Sequence, residues 1–144
     1  MLTGKTALIT GASRGIGRAI ATMYAEHGSN IAFTYINEDD EAHELTKLLQ
    51  TKGVQVLCIK SDAANFDAAH EVVKQVIDTF GSLDILVCNA GITRDTLLMR
   101  MSEQQWDDVL DVNLKSVFNY CHAVSMQMMR QRSGSIIAMS SIVG

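Results

Sequence analysis

Two hydrophobic periods alternate along this chain. Short runs that are mostly apolar at every position, Thr6 to Thr10, Asn30 to Tyr35, Val54 to Lys60, Leu83 to Asn89 and Ser135 to Ser140, are divided by longer stretches with apolar residues every three or four positions. Runs without strict alternation belong to strands covered on both faces, so a parallel sheet is predicted. Ile16, Ala19, Ile20 and Met23 form the stripe of the first helix. Ala69, Val72, Val73, Val76, Ile77 and Phe80 form that of a later one, and Trp106, Val109, Leu110, Asn113, Leu114 and Val117 that of the last. The chain has no proline. Gly28, Gly53, Gly81 and Gly134 each follow a helical stretch, where a left-handed terminal residue is favoured, and Ser102 with Gln105 reads as a capping box opening the long last helix. Five strands alternating with four helices predict a doubly wound, three-layer α/β/α sheet with right-handed crossovers. No repeat or linker divides it, so residues 1–144 are expected to form one domain.

Composition narrows the function. A chain of 144 residues that is 47% hydrophobic and 19% charged has a globular composition, and a formal charge of −4 offers nucleic acid or membranes no general attraction. Neither is expected as a partner. No apolar stretch reaches the length of a membrane span and no secretory pattern opens the chain, so a cytoplasmic location is expected. Cys58, Cys88 and Cys121 sit among apolar neighbours and read as packed thiols; His27, His43, His70 and His122 lack ligand spacing, and no metal is expected.

The segment Thr10-Gly11-Ala12-Ser13-Arg14-Gly15-Ile16-Gly17 stands between the first strand and the first helix. In that context three glycines serve a sharp turn, a close approach of backbone to phosphate and a close packing of helix on sheet, while helix-start N–H groups attract an anion. This is the pattern of a Rossmann-type dinucleotide site. Ligands of such sheets lie beyond the carboxyl ends of the strands, where Ser61-Asp62-Ala63, Asn89-Ala90-Gly91 and Ser140-Ser141 also fall.

Together the glycine turn, Asn89-Ala90-Gly91, Asn113 within a helix and Ser141 resemble the short-chain dehydrogenase/reductases. The run from Asn89 to Asp95 into Leu97-Leu98-Met99-Arg100-Met101, with Trp106 and Asn113-Leu114, is similar to the 3-oxoacyl-[acyl-carrier-protein] reductases; acetoacetyl-CoA reductases share much of it. The resemblance implies reduction of a 3-oxoacyl thioester on acyl carrier protein or CoA to the 3-hydroxyacyl thioester in fatty acid synthesis, by a homo-oligomer, a tetramer when complete. It assigns Gly11, Ser13, Arg14, Gly15, Ile16, Gly17, Tyr35, Asp62, Ala63, Asn89, Ala90 and Gly91 to the cofactor. Ser141 and Asn113 are assigned to catalysis, and Arg132 to docking of the carrier.

Each assignment has a plainer counterpart. Tyr35 stands where an NAD-type enzyme places an acid, and Arg14 is placed to pair with a 2′-phosphate, so NADPH is favoured; the alternative for Arg14 is a solvated loop arginine. Glu38, Asp39 and Asp40 nearby are expected at a helix start, where carboxylates suit the dipole, and they count slightly against NADPH. Asp62 fits either an adenine contact or a turn cap, and Asn113 either a water-relay residue or a buried structural amide. Arg130 and Arg132 also suit a helix C-terminus.

The family's Tyr-x-x-x-Lys, which supplies the proton donor and a lysine that lowers its pKa, is absent from residues 1–144. The domain therefore reads as C-terminally incomplete and, alone, inactive. The other reading is an inactive dinucleotide-binding module or partner subunit. The fifth strand is expected to present Ile136, Ile137 and Met139 on an open edge.

Overall fold

Residues 1–141 are described by the computed structural model. Each predicted strand forms, trimmed by a residue or two at some ends: β1 (Thr6–Ile9), β2 (Asn30–Tyr35), β3 (Val56–Lys60), β4 (Ile85–Cys88) and β5 (Ser135–Ala138). They pair in parallel in the order β3-β2-β1-β4-β5. The chain thus runs outward from β1 in one direction, then returns to β1's other side. That reversal parts the loops following β1 and β4, as the doubly wound reading requires.

Pleating sends alternate strand residues to opposite faces, so one sheet serves two cores. Ala7, Ile9, Ile31, Phe33 and Val87 meet α1 (Gly15–Glu26) and α2 (Asp39–Gln50) through Ala21, Ala25, Ala42, Leu45 and Leu49. Leu8, Ala32, Leu86 and Cys88 meet α3 (Phe66–Phe80) and α5 (Ser116–Gln131) through Ala69, Val72, Val73, Val76, Tyr120 and Val124. The stripe read for α3 is the one it buries, apart from Ile77 and Phe80, which are only partly covered. Cys88 is buried, Cys58 and Cys121 are half-buried, and all three are free thiols.

Two stripes differ from their predicted faces. On α1 the sheet-facing residues are Gly17, Ala21 and Ala25, while Ile16, Ala19 and Met23 are exposed and Ile20 is half-buried. Small residues let the helix lie close to the sheet, and the larger apolar side chains are turned outward. In the last helix, α4 (Glu103–Leu110) passes through a π-helical turn (Asp111–Lys115) into α5. A π turn adds a residue to one turn and so rotates the face that follows by roughly a quarter turn or more. Nor is the predicted stripe a buried face before the turn: Trp106 and Leu110 there, and Asn113 and Leu114 within it, are exposed, Val109 and Val117 are half-buried, and the buried residues after it are Ser116, Asn119, Tyr120 and Val124.

Capping follows the sequence with one exchange. Ser102 and Gln105 form the capping box, and Gly81 ends α3 in the left-handed conformation. At the end of α5 that conformation falls on Arg132 (φ 57°), not on Gly134. β5 lies at the sheet edge with all four residues exposed, leaving Ile136 and Ile137 open beside Met139. No helix among the described residues is long and apolar enough to cross a membrane.

Leu86, at 0% exposure in β4, supports the second core. Leu86→Ala is expected to lower the unfolding free energy by about 2–5 kcal/mol, read by chemical denaturation.

Candidate functional site

At the carboxyl end of β1 the backbone leaves the sheet and must find new partners. The Thr10 hydroxyl accepts the N–H groups of Asn89 and Ala90, each at 3.0 Å. Asn89 returns two bonds, its Nδ2 donating to the carbonyls of Thr10 (3.2 Å) and Gly11 (3.0 Å). From the other side the Thr34 hydroxyl accepts Gly11 N–H at 3.2 Å, and the Thr34 carbonyl accepts Ala12 N–H at 3.0 Å. Three strand ends are thereby fastened around the glycine turn.

A cavity of about 400 Å³ opens above this junction. Gly11, Ser13, Arg14 and Gly15 form its floor; Thr34 to Glu38 form one wall, with Ser61 and Ala63 beside them; Asn89 to Ile92 and Val112 close the other side. The α1 N-terminus faces it with neither a capping side chain nor an acidic first turn. The other helices that open from loops are served: three acidic residues open α2, the Asn65 side chain caps α3, and Ser102 caps α4. Bare N–H groups with the positive end of a helix dipole form an anion site.

The glycines fit that role. Gly15 has φ 64° and nothing within 4 Å of where a Cβ would stand, so backbone lies open to a ligand. Gly17 is the opposite case. A Cβ there would stand 2.5 Å from Asn89 Nδ2 and 2.7 Å from the Gly11 carbonyl oxygen, so only glycine lets α1 start this close to the sheet.

Charge gathers at the β2 end of the cavity. Arg14, with its side chain 74% exposed, pairs at 3.5 Å with Glu38, 23% exposed. Burial alone would raise the Glu38 carboxyl, but hydrogen bonds from the N–H groups of Asn37 and Glu38 and the Arg14 charge outweigh it and hold it below the usual range. Tyr35 is pushed the other way, by burial first and by Asp39 second, and stays a neutral phenol. On the opposite side burial, with Cys121 adjacent, pushes the Cys88 thiol up to about 12, so it remains an unreactive packing group.

Several predicted residues converge here and others do not. Gly11, Ser13, Arg14, Gly15, Tyr35, Ala63, Asn89, Ala90 and Gly91 line the cavity. Gly17 lies beneath it, and Ile16 is exposed outside its wall. Asp62 turns its carboxylate to Ala64 N–H (2.9 Å) and its carbonyl to Asn65 N–H, which is the turn-capping reading. Asn113 is exposed, not inside a buried stripe. Its amide is nonetheless fully engaged, accepting Ile92 N–H and donating to the Ile92 carbonyl, both at 2.8 Å. Ser141 is exposed beyond β5, and Ile142, Val143 and Gly144 lie outside the described residues. Arg132 is exposed at the end of α5, at the opposite end of the sheet.

From the sequence, Thr34, Ile36, Asn37, Ile92 and Val112 in the wall carry no site role, Ser61 stands only at a strand end and Glu38 only at a helix start, and Thr10 is not paired with Asn89. Thr34 had a signal, a hydroxyl in an otherwise apolar strand. Ile92 and Val112 had none, because they are brought there by Asn113 and the π turn.

This parallel sheet, with its crossover cavity and uncapped helix start, defines a Rossmann-type α/β protein. The chain belongs to the short-chain dehydrogenase family, whose model, described as short chain dehydrogenase, matches residues 5–144. It is similar to the 3-oxoacyl-[acyl-carrier-protein] reductase FabG of Staphylococcus epidermidis, 54% identical over 140 residues that cover 97% of this chain and 57% of the relative. The enzyme of the same name from Chlamydia muridarum is 44% identical over 144 residues, 100% of this chain and 58% of the relative. Among solved structures, a Serratia marcescens short-chain dehydrogenase/reductase F98L/F202L mutant superposes with a TM-score of 0.91 at 36% identity, over 98% of this chain and 57% of that one. A putative short-chain alcohol dehydrogenase from Sinorhizobium meliloti gives 0.93 at 33% identity, over 99% and 57%. The chain thus spans a little over half the length of the proteins it matches.

Because Glu38 is depressed in the fold, its contribution is present above its unfolded value of 4.5 and is lost as pH falls through the lower folded value. A carboxyl-detected NMR titration is expected to place its midpoint below 4.5, and Arg14→Met to move that midpoint up.

Proposed function

We propose that residues 1–144 are one domain that binds NADPH for reduction of a 3-oxoacyl thioester to the 3-hydroxyacyl thioester. The observation that carries this is the uncapped α1 start with Gly15 open before a cavity of about 400 Å³. The N–H groups there would hold the pyrophosphate. Arg14 would exchange Glu38 for the 2′-phosphate, Tyr35 would add no competing charge, and Ser61, Asp62 and Ala63 would hold the adenine. Asn89, Ala90 and Gly91 hold the far wall.

Bound there, the cofactor supplies a hydride to the ketone carbon. Ser141 orients the ketone oxygen and stabilises its growing charge by donating a hydrogen bond. Asn113 fixes the Ile92 backbone and helps hold a relay water. Residues 1–144 contain no Tyr-x-x-x-Lys, so on this reading they provide no proton donor and turn over no ketone by themselves. Names of the relatives favour acyl carrier protein as the substrate's carrier over CoA, and Arg132 as a contact for its acidic surface. Exposed Trp106, Leu110, Leu114 and Phe118 on the last helix suit burial between subunits of a cytoplasmic homotetramer.

Nucleotide titrations of the protein test the cofactor. Arg14→Ala is expected to weaken NADPH by roughly 10–100-fold while NADH changes little, the size of a lost charge-assisted bond. Absence of nucleotide binding in the unaltered protein would remove the reading. Nucleotide binding without ketone reduction by the full-length protein would favour an inactive module. Arg132→Glu is expected to lower activity on carrier-bound substrate and spare the CoA analogue; equal loss on both would reject the docking role.

A further inference from the structure

Two buried side-chain polar atoms among the described residues have no hydrogen-bond partner, and they sit on neighbouring residues of one helix: Asn119 Oδ1 and Tyr120 OH. Buried polar atoms are rarely left unpaired, because each forfeits its hydration for nothing. Phenylalanine would fill the place of Tyr120, 1% exposed in an otherwise apolar core, without that penalty. The hydroxyl therefore wants an explanation outside packing.

Its surroundings give one. Tyr120 OH lies near the Ser61 and Thr34 hydroxyls without meeting hydrogen-bond geometry with either, and Asp62 is close by; burial is the main reason its acidity is suppressed, and the two hydroxyls act against it. Ser61 and Thr34 are both wall residues of the cavity, and Thr34 also accepts Gly11 N–H. Beside Tyr120, Asn119 Nδ2 donates to the Ala63 carbonyl at 3.0 Å. One turn earlier Lys115 Nζ reaches the Ala64 carbonyl at 3.4 Å. The same helical rod also carries Asn113, clamped on Ile92 in the opposite wall. One helix thus braces both sides of the cavity.

We propose that Asn119 and Tyr120 are positioning residues that hold the Thr34 and Ser61–Ala63 wall from beneath, and thereby set affinity for the adenosine half of a dinucleotide. The assignment rests on the dinucleotide reading given above. Its experiment is Tyr120→Phe in the full-length protein, with Asn119→Leu as a second variant. Tyr120→Phe is expected to leave the unfolding midpoint unchanged or higher, to weaken ADP and 2′,5′-ADP by roughly three- to tenfold, and to leave nicotinamide mononucleotide unchanged. Amide hydrogen exchange at residues 61–64 is expected to quicken in both variants while that of β4 stays as it was. A folded Tyr120→Phe protein with ADP affinity intact, or with equal losses for the two half-ligands, would overturn the proposal. If the unaltered protein binds neither half, the dinucleotide reading fails. The support role is then decided by exchange alone: quickened exchange at 61–64 upholds it, and unchanged exchange rejects it.

Discussion

The site depends on one exchange of hydrogen bonds, between the Thr10 hydroxyl and Asn89. Parallel strands β1 and β4 end side by side, and their last backbone groups have no further ladder to join. Thr10 Oγ1 takes two N–H groups and Asn89 Nδ2 takes two carbonyls, so four groups that would otherwise be orphaned at the strand ends are satisfied by two side chains. The glycines follow from that exchange. Asn89 Nδ2 occupies the space a side chain at residue 17 would need, so α1 begins tight against the junction and its bare N–H groups point into the cavity. A longer side chain at 17 would push apart the helix start, the turn and the β4 loop together.

The second constraint is the π turn at Asp111–Lys115. With it, the last helix places Asn113 against Ile92 on one wall and then, rotated, sends Ser116, Asn119, Tyr120 and Val124 inward. An unbroken α-helix would not keep both relations. π turns are frequent at functional sites because the local cost of a poorer hydrogen-bond ladder is sustained only where a displaced residue is needed. Here the displaced segment carries the residue that grips the β4 loop. The whole rod therefore acts as a strut between the loops after β3 and β4.

The sheet was legible in the sequence because parallel strands covered on both faces, as β1, β2 and β4 are, leave short continuous apolar runs. The glycine turn was legible for a similar reason: it needs particular residue types at fixed spacing. What escaped was whatever depends on how elements sit against one another. The α1 stripe was read from large side chains, although Gly17, Ala21 and Ala25 are what close packing selects. Asn113 was read as buried because its neighbours three and four residues away are apolar, and a π turn has no composition of its own. Glu38 was seen as a helix-start acid, which it nearly is, but its bond to Arg14 joins two loops 24 positions apart in the chain.

That Arg14–Glu38 pair also sets the electrostatic character of the cavity's β2 end. A guanidinium three-quarters exposed, 3.5 Å from its carboxylate, is worth only about 0–1 kcal/mol. A phosphate carries more charge than a carboxylate and meets the planar fork of arginine with two parallel bonds. Transfer of Arg14 from Glu38 to a phosphate would therefore cost little, and Glu38 would keep the N–H bonds that already hold its charge. The acidic residues that follow Glu38 oppose such a transfer less than their number suggests. Asp39 is engaged by Lys60 at 3.3 Å, and the first turn of α2 offers its own N–H groups to the rest. Arg14 is the one lysine or arginine among the described residues lining the cavity, so on the proposed reading the preference for a phosphorylated or plain ribose would turn on Arg14 more than on the count of carboxylates around it.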